Sequence, residues 1–298
     1  MSRIIYTLCS VVLLTQVVHS APLTTEQLKA QLEKLGATVT LTNGAITQVS
    51  VKAADFTPDD FKLLNQCAGL KKLTISGKTV NDAHLPLLSG LTELEELSTD
   101  QTALTDEGYK HFAQFPKLRR LSLFHPSWEM AEFTGSGLAH LKALPNLQLL
   151  TFAGSTAGDP VMEAIGQLTQ LRGFSTWHTA QTQAGNQHLK KLTNLTALRF
   201  GQRLPRGKDH APSFDATTLA LFAEIPSLET LTVFEVKLTV ADFAPLKKLP
   251  KLKALTIQGT EIPEADVAKV RELLPNAKVD YKPITEEERM NLSKKLKL

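Results

Sequence analysis

Three large aromatic residues, Phe124, Trp177 and Phe234, stand at the same place in a repeated unit of the chain, with the small residues Ala153 and Gly201 at the two places between them. One position further along stand His125, His178 and Glu235, and two positions before Gly201 stands Arg199. Two chemistries fit such a set. Exposed aromatics grouped on one surface anchor a binding partner, and two imidazoles with a carboxylate can ligate a metal ion. The metal reading is the weaker, because the three residues come from alternate units and start about 10 Å apart if each unit contributes one strand. No His-x-x-x-His or similar tight spacing supports it. The expected role is hydrogen bonding within a partner site, with no metal and no other cofactor. The competing reading of the rings is that each folds down over Ala153 or Gly201 and seals the surface beneath it.

Catalytic signatures are missing from the sequence. It contains no nucleophile elbow, phosphate-cradling glycine loop, zinc-protease helix or cysteine pair. Gly135 and Gly137 form a lone Gly-x-Gly at an expected helix start. Cys67 falls at an apolar position of its unit and reads as a core filler. The expectation is a protein that is not an enzyme.

The unit that places these residues follows from leucine spacing. The chain has 298 residues, 49 of them Leu, and the pattern Leu-x-x-Leu-x-Leu restarts at Ile46, Leu70, Leu94, Leu118, Leu147, Leu171, Leu195, Leu228 and Leu252. Six of the eight intervals are 24 residues; the others, 29 and 33, carry insertions. Counting the unit's first residue as offset 0, apolar residues at 3 and 5 alternate with polar ones, as in a short strand with one buried face. Those at 15, 18 and 21 make the stripe of a short helix. Offset 11 is Thr57, Asn81, Thr105, Thr134, Thr182, Asp215 or Thr239, residues that cap a helix start. A strand, a turn and a capped helix cannot bury both faces alone, so neighbouring units must stack into a parallel sheet on the inside and helices on the outside. The aromatics then sit at offset 6 of the strands, facing inward onto the concave surface.

The segment LKKLTISGKTVNDAHLPLLSGLTE, followed by LEELSTDQTALTDEGYKHFAQFPK, resembles leucine-rich repeats of about 24 residues. It is most similar to exported bacterial members with a Thr-x-(Leu/Ile)-Thr-Asp turn, close to the cysteine-containing subclass found in F-box proteins. The resemblance spans residues 37–281. It implies an α/β horseshoe solenoid and a protein-binding role, and says little about the ligand. No F-box motif precedes the repeats.

Around the nine units and one closing strand of 46–281, the sequence predicts two ends. Residues 21–45 read as a cap, with a helix from Thr25 to a Gly36 stop and a hairpin turned at Asn43-Gly44. Residues 282–298 are a charged tail with two readings, a short helix started by a Thr285–Glu288 capping box or a loose segment. Residues 1–20, with Arg3 before an apolar run and Val18-His19-Ser20 at its end, read as a cleavable export signal. No later stretch is apolar for the ~20 residues a membrane span requires. With 33 basic and 30 acidic residues and a net charge of +3, the balance excludes a dedicated nucleic-acid binder.

Both insertions follow strands near the aromatics. The first supplies Trp128; the second contains Arg203 and Arg206 and is basic enough to steer an acidic partner. The sequence therefore points to an exported, non-enzymatic module that grips a protein with Phe124, His125, Trp128, Trp177, His178, Arg199, Arg203, Arg206, Phe234 and Glu235. The alternatives are a glycan stacked on the same rings, in the envelope or outside the cell, and a structural component of a surface assembly.

Overall fold

A computed structural model of the chain describes residues 23–203, 213–260 and 262–296. The expected signal at 1–20 and Arg206 lie outside the described residues. Leucine at offsets 3 and 5 decides the architecture, because burying both requires each strand to lie in register with the next. Among the described residues, eleven strands form one open sheet in sequence order. They are β1 (Thr38–Thr42), β2 (Ala45–Lys52), β3 (Lys72–Ser76), β4 (Glu96–Asp100), β5 (Arg120–Phe124), β6 (Leu149–Ala153), β7 (Gly173–Trp177), β8 (Ala197–Gly201), β9 (Thr230–Phe234), β10 (Ala254–Gln258) and β11 (Lys278–Lys282). Only the β1–β2 hairpin is antiparallel, turning through left-handed Asn43 and Gly44. From β2 onward every pairing is parallel without a slip, so Leu73, Leu97, Leu121, Leu150, Phe174, Leu198, Leu231 and Leu255 form one buried row. A fully buried side chain of this size contributes roughly 1.5–3 kcal/mol. The result is an α/β leucine-rich repeat solenoid with the sheet on its concave face and helices on its convex face.

The outer layer is less α-helical than the sequence suggests. Helices α1 (Thr25–Lys34), α2 (Pro58–Leu64), α3 (Asp159–Ile165), α4 (Gln183–Asn186), α5 (Ala216–Phe222), α6 (Glu264–Leu273) and α7 (Glu286–Leu296) alternate with 3-10 helices at Leu85–Leu88, Glu107–Gln114, Ser136–Ala143, Gln187–Lys191 and Val240–Lys248. The physical reason is visible in the offsets: residues 15, 18 and 21 are spaced by three, the period of a 3-10 helix. Tyr109, Phe112 and Phe115 are all fully buried on that spacing. The Tyr109 phenol has its pKa raised, first by burial and then by the neighbouring Asp106 and Asp82. Cys67 is buried in the same layer, and burial pushes its thiol up to about 11, so it holds its proton at neutral pH.

Consecutive units are also stapled by polar groups. The carboxylate of Asp82 accepts hydrogen bonds from the backbone N–H and hydroxyl of Thr105, and Asp159 does the same for Thr182. Asp106 accepts from the Thr134 N–H at 2.9 Å, the Thr134 hydroxyl at 2.8 Å and the Gly137 N–H at 2.9 Å. Each Asp stands at offset 12 of one unit and each Thr at offset 11 of the next. The Thr hydroxyls in turn accept first-turn amides from Gly108, Ser136 and Ala184. Close approach explains the glycine at offset 14, since a Cβ on Gly137 would lie 1.9 Å from the Asp106 carbonyl oxygen.

At the ends, Thr24 and Gln27 form the capping box of α1. The C-terminal tail, which the sequence left open, is helical in α7: Glu288 accepts from the Thr285 N–H at 2.9 Å, and the Thr285 hydroxyl accepts from the Glu288 N–H at 3.2 Å. The Thr285 N–H and the Thr285 hydroxyl both donate to the exposed Glu288 carboxylate and hold its pKa below the usual value. None of the described helices is long and apolar enough to cross a membrane.

Two substitutions test the staple by thermal or denaturant unfolding. Asp106→Ala removes the acceptor for three donors and is expected to cost about 1–3 kcal/mol. Gly137→Ala forces the two units apart and is expected to cost at least as much; unchanged stability in both would show that the apolar layer alone holds the stack.

Candidate functional site

Register puts the aromatics where the sequence places them, but their spacing differs. Phe124, Ala153 and Trp177 end three adjacent strands, and Gly201 and Phe234 end the next two. The strands carrying them stand two spacings apart, about 10 Å, yet the Phe124 and Trp177 centroids are separated by 6.1 Å and those of Trp177 and Phe234 by 5.8 Å. They lean together across the small residues. A Cβ on Gly201 would come within 2.5 Å of the Phe234 ring, so that ring lies directly on the glycine.

This corrects the expectation that all three rings face solvent. Phe234 is only 6% exposed and seals the sheet over Gly201, while Phe124 and Trp177 are half-buried. The Arg199 guanidinium completes the cluster, 5.1 Å from the Trp177 centroid and 4.7 Å from that of Phe234. A cation held against two rings is favoured by their quadrupoles and limited to a few orientations.

The residues one position on sit at a sharp turn. Gln101, His125, His178 and Glu235 all have left-handed backbone, as do Gly77, Gly154 and Gly259 at the equivalent offset. A non-glycine residue there costs roughly 1–2 kcal/mol, which was not evident from the apolar spacing; glycine in three of the units was the available signal. His178 Nε2 meets Glu235 Oε2 at 2.5 Å, half-buried, whereas His125 Nδ1 turns to Asp100 Oδ1 at 2.8 Å and its ring lies over Gly154. The three expected polar groups therefore divide between two separate pairs. Among the described residues no group of three or more His, Cys, Asp or Glu is arranged to hold a metal ion.

The insertions behave differently from one another. In the first, Ser127 donates to the Leu104 carbonyl, Phe133 is buried against Tyr109 at 5.8 Å, and Trp128 is left 42% exposed. Trp128 packs edge-on against His125 at 6.0 Å and lines a cavity of about 470 Å3 with Lys78, Gln101, Glu129 and Met130. In the second, Gln202 is buried, accepting from the Ser213 and Phe214 amides and donating to the Phe214 carbonyl. Arg203 was expected to meet a partner but is only 4% exposed, because Gln202 draws both ends of the insertion into the core.

Comparison of the sequence with known family models and with curated proteins finds no match. Similar solved structures include an internalin (inlF) of Listeria monocytogenes, 18% identical over 90% of this chain and 78% of that one, with a TM-score of 0.48. The internalin C2 (inlC2) of the same organism is 16% identical over 87% and 92% of the two chains, with a TM-score of 0.45. TLR13, solved as a complex with ssRNA13, is 16% identical over 82% of this chain and 35% of its own, with a TM-score of 0.49.

The packing of the rings generates a stability prediction. Phe234→Ala opens a void above Gly201 and is expected to cost about 3 kcal/mol or more, whereas Trp128→Ala, on an exposed ring, is expected to stay within about 0.5 kcal/mol. Equal losses in the two melting curves would contradict this assignment of sealing and displayed rings.

Proposed function

We propose that this chain is an exported, non-enzymatic binding module that grips a protein partner through its concave face. The observation that carries the reading is the pre-packed row of Phe124, Trp177 and Phe234 with Arg199 laid across it. Rings and a guanidinium already immobilised lose little entropy on binding, which is the usual composition of an interface hot spot. Trp177, Phe124 and Arg199 are the contact residues in this proposal, Phe234 supports them from below, and Trp128 and His125 extend the surface toward the first insertion.

Charge patterning supports a protein partner over a nucleic acid. On the same face Glu96 lies between Lys72 at 3.5 Å and Arg120 at 3.8 Å, and Lys71 pairs with Glu95 at 3.4 Å. Lys72 and Arg120 of the concave floor are thus offset by a neighbouring acid, where a phosphate backbone would select an unbroken basic track. A glycan is the second reading. It is favoured by the cavity at Trp128, where an exposed indole beside Gln101, His125 and Glu129 offers a sugar both a stacking face and polar partners.

The test is affinity capture from an envelope extract, comparing the wild-type chain with Trp177→Ala and with Trp128→Ala, after circular dichroism has shown both variants folded. Phe234 is left intact, since its removal would confuse folding with binding. A protein retained by wild type and lost by Trp177→Ala is the expected result. Equal retention by all three chains would move the contact to the convex face; loss of a glycan by Trp128→Ala alone would favour the second reading.

A further inference from the structure

The concave floor carries a pattern that the aromatic row conceals. At offset 4 the strands align Ser50, Thr74, Ser98, Ser122, Thr151, Ser175, Arg199, Thr232 and Thr256 in one straight row. Every one of these but Arg199 carries a hydroxyl, and beyond Thr256 the row ends at Asp280, which pairs with Lys278. A single guanidinium therefore interrupts a ladder of small donors along the middle of the sheet, with Ser175 and Thr232 on its two sides at the ~4.8 Å strand spacing.

Around it lies a shallow depression of about 160 Å3, lined by Arg199, Arg120, Thr151, Ser175, Thr230 and Thr232 over a low floor that includes Gly173 and Ala197. No described Asp or Glu lines it. Arg120, at its edge, reaches back toward Glu96, whereas Arg199 makes its two ring contacts and, among the described residues, no hydrogen bond or ion pair. Its planar fork of donors is thus restricted in orientation by Trp177 and Phe234 and has no counter-ion among the described residues, while Lys72 on the sheet, and Lys71 and Lys253 just before its strands, each have one.

We infer that Arg199, flanked by the Ser175 and Thr232 hydroxyls, is a recognition site for a carboxylate presented by an acidic residue of the partner. Guanidinium and carboxylate match as a planar two-point pair. The two rings restrict the fork's orientation, and the adjacent hydroxyls donate to whichever oxygen faces them. The space holds a few water volumes, enough for a carboxylate group and too little for a whole small molecule. This inference rests on the concave-face reading and specifies the chemistry of what that face meets.

The experiment is an NMR titration of the folded chain with glutarate at constant ionic strength, read at the Trp177 indole N–H, which a Trp177→Phe variant assigns. Saturable movement with glutarate and none with added chloride is expected. The response should weaken at least about tenfold in Arg199→Gln, weaken also in Arg199→Lys, which keeps the charge and loses the fork, and persist in Lys190→Gln, which removes one charge from the convex side. Equal responses in wild type and both Arg199 variants, or the same movement with chloride, would overturn the site. Tighter binding of sulfate than of glutarate would overturn the carboxylate assignment in favour of a tetrahedral oxyanion. Glutarate binding with partner capture indifferent to Trp177 would sink the protein-partner reading alone; capture that depends on Trp177 with no glutarate response would sink this inference alone.

Discussion

A single 24-residue unit of this chain cannot bury the leucines it carries. Its strand has one apolar face and its outer segment one apolar stripe, and both need a neighbour on each side. Stacking at the strand spacing satisfies both at once, and most of the molecule follows from that constraint. The unslipped register from β2 to β11 is its direct consequence, because a one-residue shift would turn Leu73, Leu97 and Leu121 out to solvent. The same register gives every offset on the concave face a fixed row, so chemistry written once per unit becomes a line of side chains.

The convex side solves a related problem of length. A short unit with insertion-free turns accommodates tight 3-10 segments as well as α-helix, and a three-residue spacing of apolar positions suits them. The Thr–Asp staple then closes three of the joints. Asp82, Asp106 and Asp159 each reach forward one unit to a capping Thr, and glycine at 108, 137 and 185 leaves room for that approach. Hydrogen bonding and apolar stacking therefore act on the same junctions, which suits a chain whose Cys67 has no described disulfide partner.

On the concave face, small residues are what make the cluster possible. Ala153, Gly154 and Gly201 leave gaps into which His125, Phe234 and their neighbours lean, turning rows of separate rings into one continuous surface. The arrangement joins two roles that were set out as alternatives: Phe234 seals the sheet, and by sealing it holds Trp177 and Arg199 in position.

How much of this was legible depended on whether a property is periodic. Leucine spacing determined the strand order, the register, the buried rows, the caps at Thr57, Thr182 and Asp215, and the alignment of Phe124, Trp177 and Phe234, because each follows from one repeat distance. The hydroxyl row interrupted by Arg199 was equally present in the sequence at offset 4, though only the paired strands make it conspicuous. Tertiary structure alone decided the rest. Whether Phe234 is displayed or buried depends on its contact with Gly201; His125 chooses Asp100 and His178 chooses Glu235 according to how the left-handed turns aim them; and Arg203 is buried because Gln202 binds the far end of an insertion that has no repeat to follow. Periodicity sets where a side chain begins, and packing against non-repeating neighbours sets where it ends.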